Sequence, residues 1–164
     1  MAEKRSQSAG DAAKTALTHV ENTLDPIIFP DSRVLLLGSM PSPKSREIGF
    51  YFGNPQNRFW RVVATLYGEK PLKSIPEKID FCKRHHLALC DVLEACDIKG
   101  ASDASIANPV PHNIGALIQD SSICAIFTLG GTATKFYKRY TEQQTGIPAR
   151  QLQVLLMPVC QLMI

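Results

Sequence analysis

The chain of 164 residues contains no apolar run approaching the ~18 residues that a membrane-spanning helix needs, and its first ten residues lack the apolar stretch of a secretory leader. It also lacks any Cys-x-x-Cys pair, so neither a zinc ribbon nor an iron–sulfur site has its usual spacing. The five cysteines, Cys82, Cys90, Cys96, Cys124 and Cys160, are odd in number. They argue against a disulfide framework and for a reducing, intracellular setting, with buried thiols in apolar runs such as Leu89-Cys90 and Ile123-Cys124. His85 and His86 are adjacent, which on a helix turns their side chains about 100° apart and away from a shared metal. Neither a Walker phosphate loop nor a dinucleotide-binding glycine pattern is present, which counts against a nucleotide-dependent small-molecule enzyme. No metal and no cofactor are expected.

Excess charge is also scarce, at +3 overall, but it is concentrated. Lys44, Arg46, Arg58 and Arg61 face only Glu47 between Met40 and Arg61, while basic and acidic residues balance elsewhere. Such a local basic excess suits contact with phosphates.

Along the chain, residues 1–22 are small, polar and charged, and are expected to form a flexible arm before a single domain over residues 23–164. Val34–Leu37 is a continuous apolar run ending at Gly38, as expected for a strand buried on both faces. Ser39–Gln56 reads as a long loop, and Asn57–Tyr67 as a helix with Asn57 as its N-cap. A second helix is expected over Pro76–His86, ending in polar residues, and a second strand over Leu87–Val92. A polar loop over Glu94–Asn108 then precedes a helix over His112–Asp120. Cys124–Phe127 and Leu152–Leu156 read as further strands, with a helix from Gly130-Gly131 to Tyr140 between them. This alternation predicts an α/β fold: a three-layer α/β/α sandwich around a central, mainly parallel four-stranded sheet. Ligands in such folds bind at the carboxyl ends of the strands, which here carry the loops after Leu37 and Thr128.

The loop after Leu37 combines small residues, three serines, basic groups, the aromatic run Phe50-Tyr51-Phe52, and the amides Asn54, Gln56 and Asn57. Small residues let a backbone approach a ligand, hydroxyl and basic groups meet phosphates, aromatics stack on bases, and amides read base edges or hold water.

The phrases Leu-Gly-Ser-Met-Pro-Ser (37–42) and Gly-Phe-Tyr-Phe-Gly-Asn-Pro-Gln-Asn-Arg-Phe-Trp (49–60) resemble motif one of the uracil-DNA glycosylase superfamily, in its DNA-deoxyinosine (hypoxanthine-DNA) glycosylase branch. Leu-Cys-Asp-Val-Leu (89–93), Ala-Ser-Asp-Ala-Ser-Ile (101–106) and Asn-Pro-Val-Pro (108–111) are similar to the same branch. The resemblance implies a monofunctional, metal-independent enzyme of base-excision repair. It would flip a deaminated base (hypoxanthine, with uracil or xanthine as further candidates) out of DNA and hydrolyse its N-glycosidic bond. It implies Asn57 as the catalytic residue and Ser39, Met40, Phe52 and Asn54 as base-binding, with Phe52 stacking on the base and the Met40 backbone N–H donating to it. Ser42, Lys44, Ser45, Arg46 and Arg58 would contact the DNA backbone. The implied partner is DNA containing deaminated bases, the protein acting as a monomer in the cytoplasm or nucleus with no membrane involvement.

Competing roles stay open at several positions. Asn57 suits an N-cap as well as catalysis, Phe59 and Trp60 suit a core, and Gly130-Gly131-Thr132 suits close helix–sheet packing as well as an anion site. The superfamily's second motif, of the form Leu-Pro-Ser-Thr-Ser-Pro-Ala-Asn, is expected after the last strand. Here Leu156-Met157-Pro158 continues into Val159-Cys160-Gln161-Leu162-Met163-Ile164. The domain is therefore expected to be C-terminally incomplete, by truncation or frameshift, and a catalytically silent DNA-binding remnant is the alternative reading.

Overall fold

A computed structural model describes residues 16–152. Its core is a four-stranded, fully parallel sheet in the order β3-β2-β6-β7, formed by β2 (Val34–Gly38), β3 (Leu87–Asp91), β6 (Ala125–Leu129) and β7 (Ala149–Leu152). The expected fold class is borne out. The apolar run at Val34 becomes the strand between β3 and β6, and alternate side chains of β2 enter opposite cores. Leu35 and Leu37 pack with Ile114, Phe136 and Tyr137 from helices α4 (Ile114–Ile118) and α5 (Gly131–Tyr140). Leu36 packs on the other face with Phe59, Trp60 and Phe81 from α2 (Phe59–Leu66) and α3 (Ile75–Arg84). Helices thus cover both faces of the sheet, which is why β2 can be apolar without alternation.

A second sheet was not foreseen. The stretch expected as a polar loop forms β4 (Leu93–Lys99) and most of β5 (Ser102–Pro111), and with β1 (Thr18–Glu21) these make an antiparallel sheet in the order β1-β4-β5. Only Val92 separates β3 from β4, so the chain passes directly from one sheet into the other. β5 is polar because most of it is partly or fully exposed, and as an edge strand it tolerates Pro109 and Pro111. The expected arm is corrected over Thr18–Glu21, where β1 pairs Val20 with Cys96 and Thr18 with Ile98.

Smaller corrections follow from capping. The loop after β2 contains a helical turn and a half, α1 (Pro43–Ile48), capped by the Ser42 side chain, which accepts the Ser45 N–H. α3 starts at a capping box in which Ser74 and Glu77 satisfy each other's backbone N–H groups. It ends in the polar cluster expected there, where Arg84 and His85 both meet Glu69. A short α6 (Glu142–Thr145) leads into β7, which begins three residues earlier than expected. Residues 153–156 of that expected strand, and the expected missing second motif, lie outside the described residues. Cys82, Cys90 and Cys96 are buried, but Cys124 is exposed, contrary to the reading of Ile123-Cys124 as core. Among the described residues, no helix is long and apolar enough to cross a membrane.

Candidate functional site

A cleft of about 160 Å³ opens where the carboxyl ends of β2, β3 and β6 meet the tip of the β4–β5 hairpin. Gly38, Ser39 and Met40 line it from β2 and its loop, Asp91 from β3, Leu129 from β6, and Gly100, Ala101 and Asp103 from the hairpin. Phe52 and Asn57 enter from the long loop. The site lies at the strand ends, as parallel sheets dictate, and the unforeseen hairpin supplies one of its walls.

The loop is braced from within. Arg46 donates from Nη1 to the Pro41 carbonyl at 2.8 Å, and the Gly53 N–H donates to Ser45 Oγ at 3.2 Å. Trp60 Nε1 donates to the Tyr51 carbonyl at 2.9 Å, and the buried Tyr51 hydroxyl donates to the Leu24 carbonyl at 3.3 Å. Phe50 stacks on Trp60 with ring centroids 5.6 Å apart, and Phe52 on Phe59 at 4.0 Å. These contacts hold Phe52 at φ 52°, a left-handed conformation that costs a bulky residue of order 1 kcal/mol or more. That conformation places its ring beside Gly38, at the cleft.

Asn57 is exposed and lines the cleft, but it is not the N-cap residue of α2; Arg58 holds that position. Asn57 still serves the helix start, because its Oδ1 accepts the Phe59 N–H at 2.9 Å. Its Nδ2 has no partner among the described residues, so the side chain is half committed to structure and half free. Met40 lines the cleft and is buried, and its backbone N–H meets no acceptor among the described residues. Ser39 is present too, with its hydroxyl committed to donating to Asp103 Oδ2 at 2.5 Å.

Other expected contacts are distributed differently. Asn54 is not among the cleft-lining residues, and its Oδ1 accepts the Gln56 N–H in a turn. Ser42 and Ser45 line the cleft, with Ser45 buried and both hydroxyls engaged in the loop's own bonds. Arg46 is partly buried, and that desolvation lowers its pKa, the Cys96 thiol acting weakly in the opposite direction. Lys44 pairs with Glu47 at 2.9 Å, and Arg58 is exposed at the start of α2. Thus Lys44 and Arg58 are placed on the outside of the loop, whereas Arg46 is built into it. Gly130-Gly131-Thr132 does not line the cleft.

Two carboxylates escaped the reading of the sequence. Asp91, at the end of β3, is only 2% exposed, and Asn22 Nδ2 donates to its Oδ2 at 3.3 Å. Burial pushes its carboxyl from 3.8 up to about 7; the Asn22 hydrogen bond opposes the rise and the nearby charge of Asp103 adds to it. Asp103 stands at the start of β5 with Ser39 as its partner. Both residues lie within phrases that resemble the family, Leu-Cys-Asp-Val-Leu and Ala-Ser-Asp-Ala-Ser-Ile, which was the one signal available for them.

A sequence profile of the uracil DNA glycosylase superfamily matches residues 26–160. A protein named hypoxanthine DNA glycosylase from Methanosarcina barkeri is 35% identical over 83 residues, covering 49% of this chain and 52% of the relative. Another of that name, from Methanosarcina acetivorans, is 34% identical over 92 residues, covering 56% and 58%. The matched stretch therefore spans about half the length of these curated relatives. A solution NMR structure from Methanosarcina acetivorans, named provisionally as a uracil DNA glycosylase, superposes with a TM-score of 0.71 at 25% identity. That superposition covers 82% of this chain and 83% of the other.

Proposed function

The chain belongs to the uracil DNA glycosylase superfamily, and from that premise we propose that it is a monofunctional DNA glycosylase of base-excision repair acting on deaminated bases, hypoxanthine first. The observation that carries this reading is the convergence of Phe52, Asn57 and Met40 on one cleft at the strand ends. A nucleotide flipped from the duplex brings its base against the Phe52 ring, where stacking contributes about 1–3 kcal/mol. The Met40 N–H supplies a donor to a carbonyl of that base. Hypoxanthine, uracil and xanthine share this group, because deamination replaces an amino group with a carbonyl. Asp91 supports the same preference: below about pH 7 its buried carboxyl is largely protonated and can donate to a carbonyl oxygen, which an amino group in that place cannot accept.

Asn57 acts at the sugar. Its amide orients water or the developing charge near the glycosidic bond, while its Oδ1 bond to the Phe59 N–H fixes its position. As the bond breaks, positive charge builds on the sugar and negative charge on the leaving base. Lys44 and Arg58 on the loop's outer face contact the phosphates flanking the flipped nucleotide.

The test is incubation of the chain with duplexes carrying deoxyinosine, uracil or xanthine, followed by alkali to reveal abasic sites. Release of hypoxanthine, reduced ~100-fold or more by Asn57→Ala, supports the reading. Binding without cleavage of any lesion would favour the catalytically silent DNA-binding alternative.

A further inference from the structure

We propose that Asp103, brought to the cleft by the β4–β5 hairpin and held by Ser39, is the proton acceptor for the attacking water, an inference that rests on the glycosylase reading. Asn57 can orient a water molecule, but a neutral amide cannot take its proton. Asp103 is a carboxylate at the same cleft. Ser39 Oγ donates to its Oδ2 at 2.5 Å, which ties the hairpin to the end of β2 and fixes the carboxylate's rotation. Its Oδ1 has no partner among the described residues and is the atom available to a water molecule.

The electrostatic setting favours the same role. No cation lies within ion-pairing distance of Asp103 among the described residues. A carboxylate without a cation partner, in a cleft that admits a polyanion, opposes ground-state binding, because it repels phosphate. It is favourable only when positive charge appears nearby, and the sugar acquires that charge as the glycosidic bond breaks. An interaction that strengthens between ground state and transition state accelerates the reaction.

The step balances without a further reactant. Water oxygen forms a bond to the anomeric carbon and the carbon–nitrogen bond breaks, its electron pair leaving with the base. One water proton passes to Asp103 Oδ1, and the departing base takes up a proton from solvent. Ser39 is a positioning residue in this scheme, acting through Asp103.

The experiment measures single-turnover excision and DNA affinity on a deoxyinosine duplex for the full chain and for Asp103→Asn, Asp103→Ala and Asn57→Ala, with thermal melting as the check on folding. Asp103→Asn keeps a partner for the Ser39 hydroxyl but cannot accept a proton. It is expected to lower the excision rate by ~100-fold or more while DNA affinity is unchanged or tighter. Added formate is expected to restore part of the rate to Asp103→Ala and none to Asn57→Ala. Wild-type excision by Asp103→Asn, or a slow but folded Asp103→Ala that formate leaves slow, overturns the assignment while leaving the glycosylase reading intact. A parent chain that excises no base overturns both.

Discussion

Asp91 Oδ1 occupies the space that a Cβ on Gly38 would require. The two residues are paired across the parallel strands β2 and β3, at the point where both strands end in the cleft. The glycine after the apolar run is thus the condition for placing a carboxyl group beside the base-binding wall. A methyl group there must displace Asp91, Gly38 or both, and the neighbouring ring of Phe52 leaves little room for it.

Gly38→Ala is therefore expected to destabilise the fold by about 1–3 kcal/mol, the usual cost of overpacking, and to impair excision strongly. Urea denaturation and the deoxyinosine assay measure the two effects. A Gly38→Ala protein with parental stability and activity would show that the Asp91 side chain moves aside freely.

Asp91 also sets a pH dependence of stability. Its carboxyl titrates near 3.8 when unfolded and near 7 when folded, because burial disfavours the charged form. The folded state therefore holds the proton more tightly. Relative stability is full below pH 4, falls as the pH rises through 7, and is level above that. Asp91→Asn removes this titration. Between pH 5 and pH 8 the parent is expected to lose about 2–3 kcal/mol relative to Asp91→Asn in paired urea denaturation curves. Parallel pH profiles for the two proteins would contradict the burial argument.

Asn57 has two separable duties. Asn57→Asp retains an oxygen for the Phe59 N–H and adds negative charge at the start of α2, so melting should change little. Asn57→Ala loses that acceptor and should cost about 1 kcal/mol. Both are expected to slow excision, and comparing melting with activity separates the structural bond from the catalytic one.

Phe52 is tested through base affinity. Phe52→Ala removes both the stack on Phe59 and the surface offered to the base, and should weaken binding of the lesion duplex by ~10-fold or more. Phe52→Gly, which is free of the positive-φ penalty, is expected to melt higher than Phe52→Ala while binding no better. Equal binding by parent and variants would remove Phe52 from the base site.

Lys44 and Arg46 should behave differently although both are basic. Lys44→Gln is expected to weaken DNA binding in a salt-dependent manner and leave stability within about 0.5 kcal/mol. Arg46→Gln breaks the bond to the Pro41 carbonyl, so its main effect should be a lower melting temperature. Matched salt titrations and thermal melts distinguish these outcomes.

What the amino-acid sequence alone determined is the parallel sheet and the motif loop. Val34–Leu37 is apolar without alternation because both faces of β2 are covered, and the aromatic run Phe50-Tyr51-Phe52 is a local feature. The grouping of Asn57 and Phe52 could be read for the same reason, since they lie five residues apart in one loop. The second sheet could not be read. β5 is half-buried or exposed along its whole length and mixes Ser, Asp, Asn and Pro with its few apolar residues, so it carries no clear apolar alternation and gains its hydrogen bonds only once β4 is beside it. With that sheet went the Asp103 carboxylate. Ser39 and Asp103 are 64 residues apart and meet only because β3 runs almost directly into β4 and the hairpin turns back over the end of β2. The proton affinity of Asp91 was equally invisible, since it comes from burial by residues distant in the chain rather than from its neighbours in sequence. Local patterning determined which segments form the sheet and which loop carries the motif. Tertiary packing decided which charges share the cleft, because long-range contacts, desolvation and electrostatics depend on distances in space.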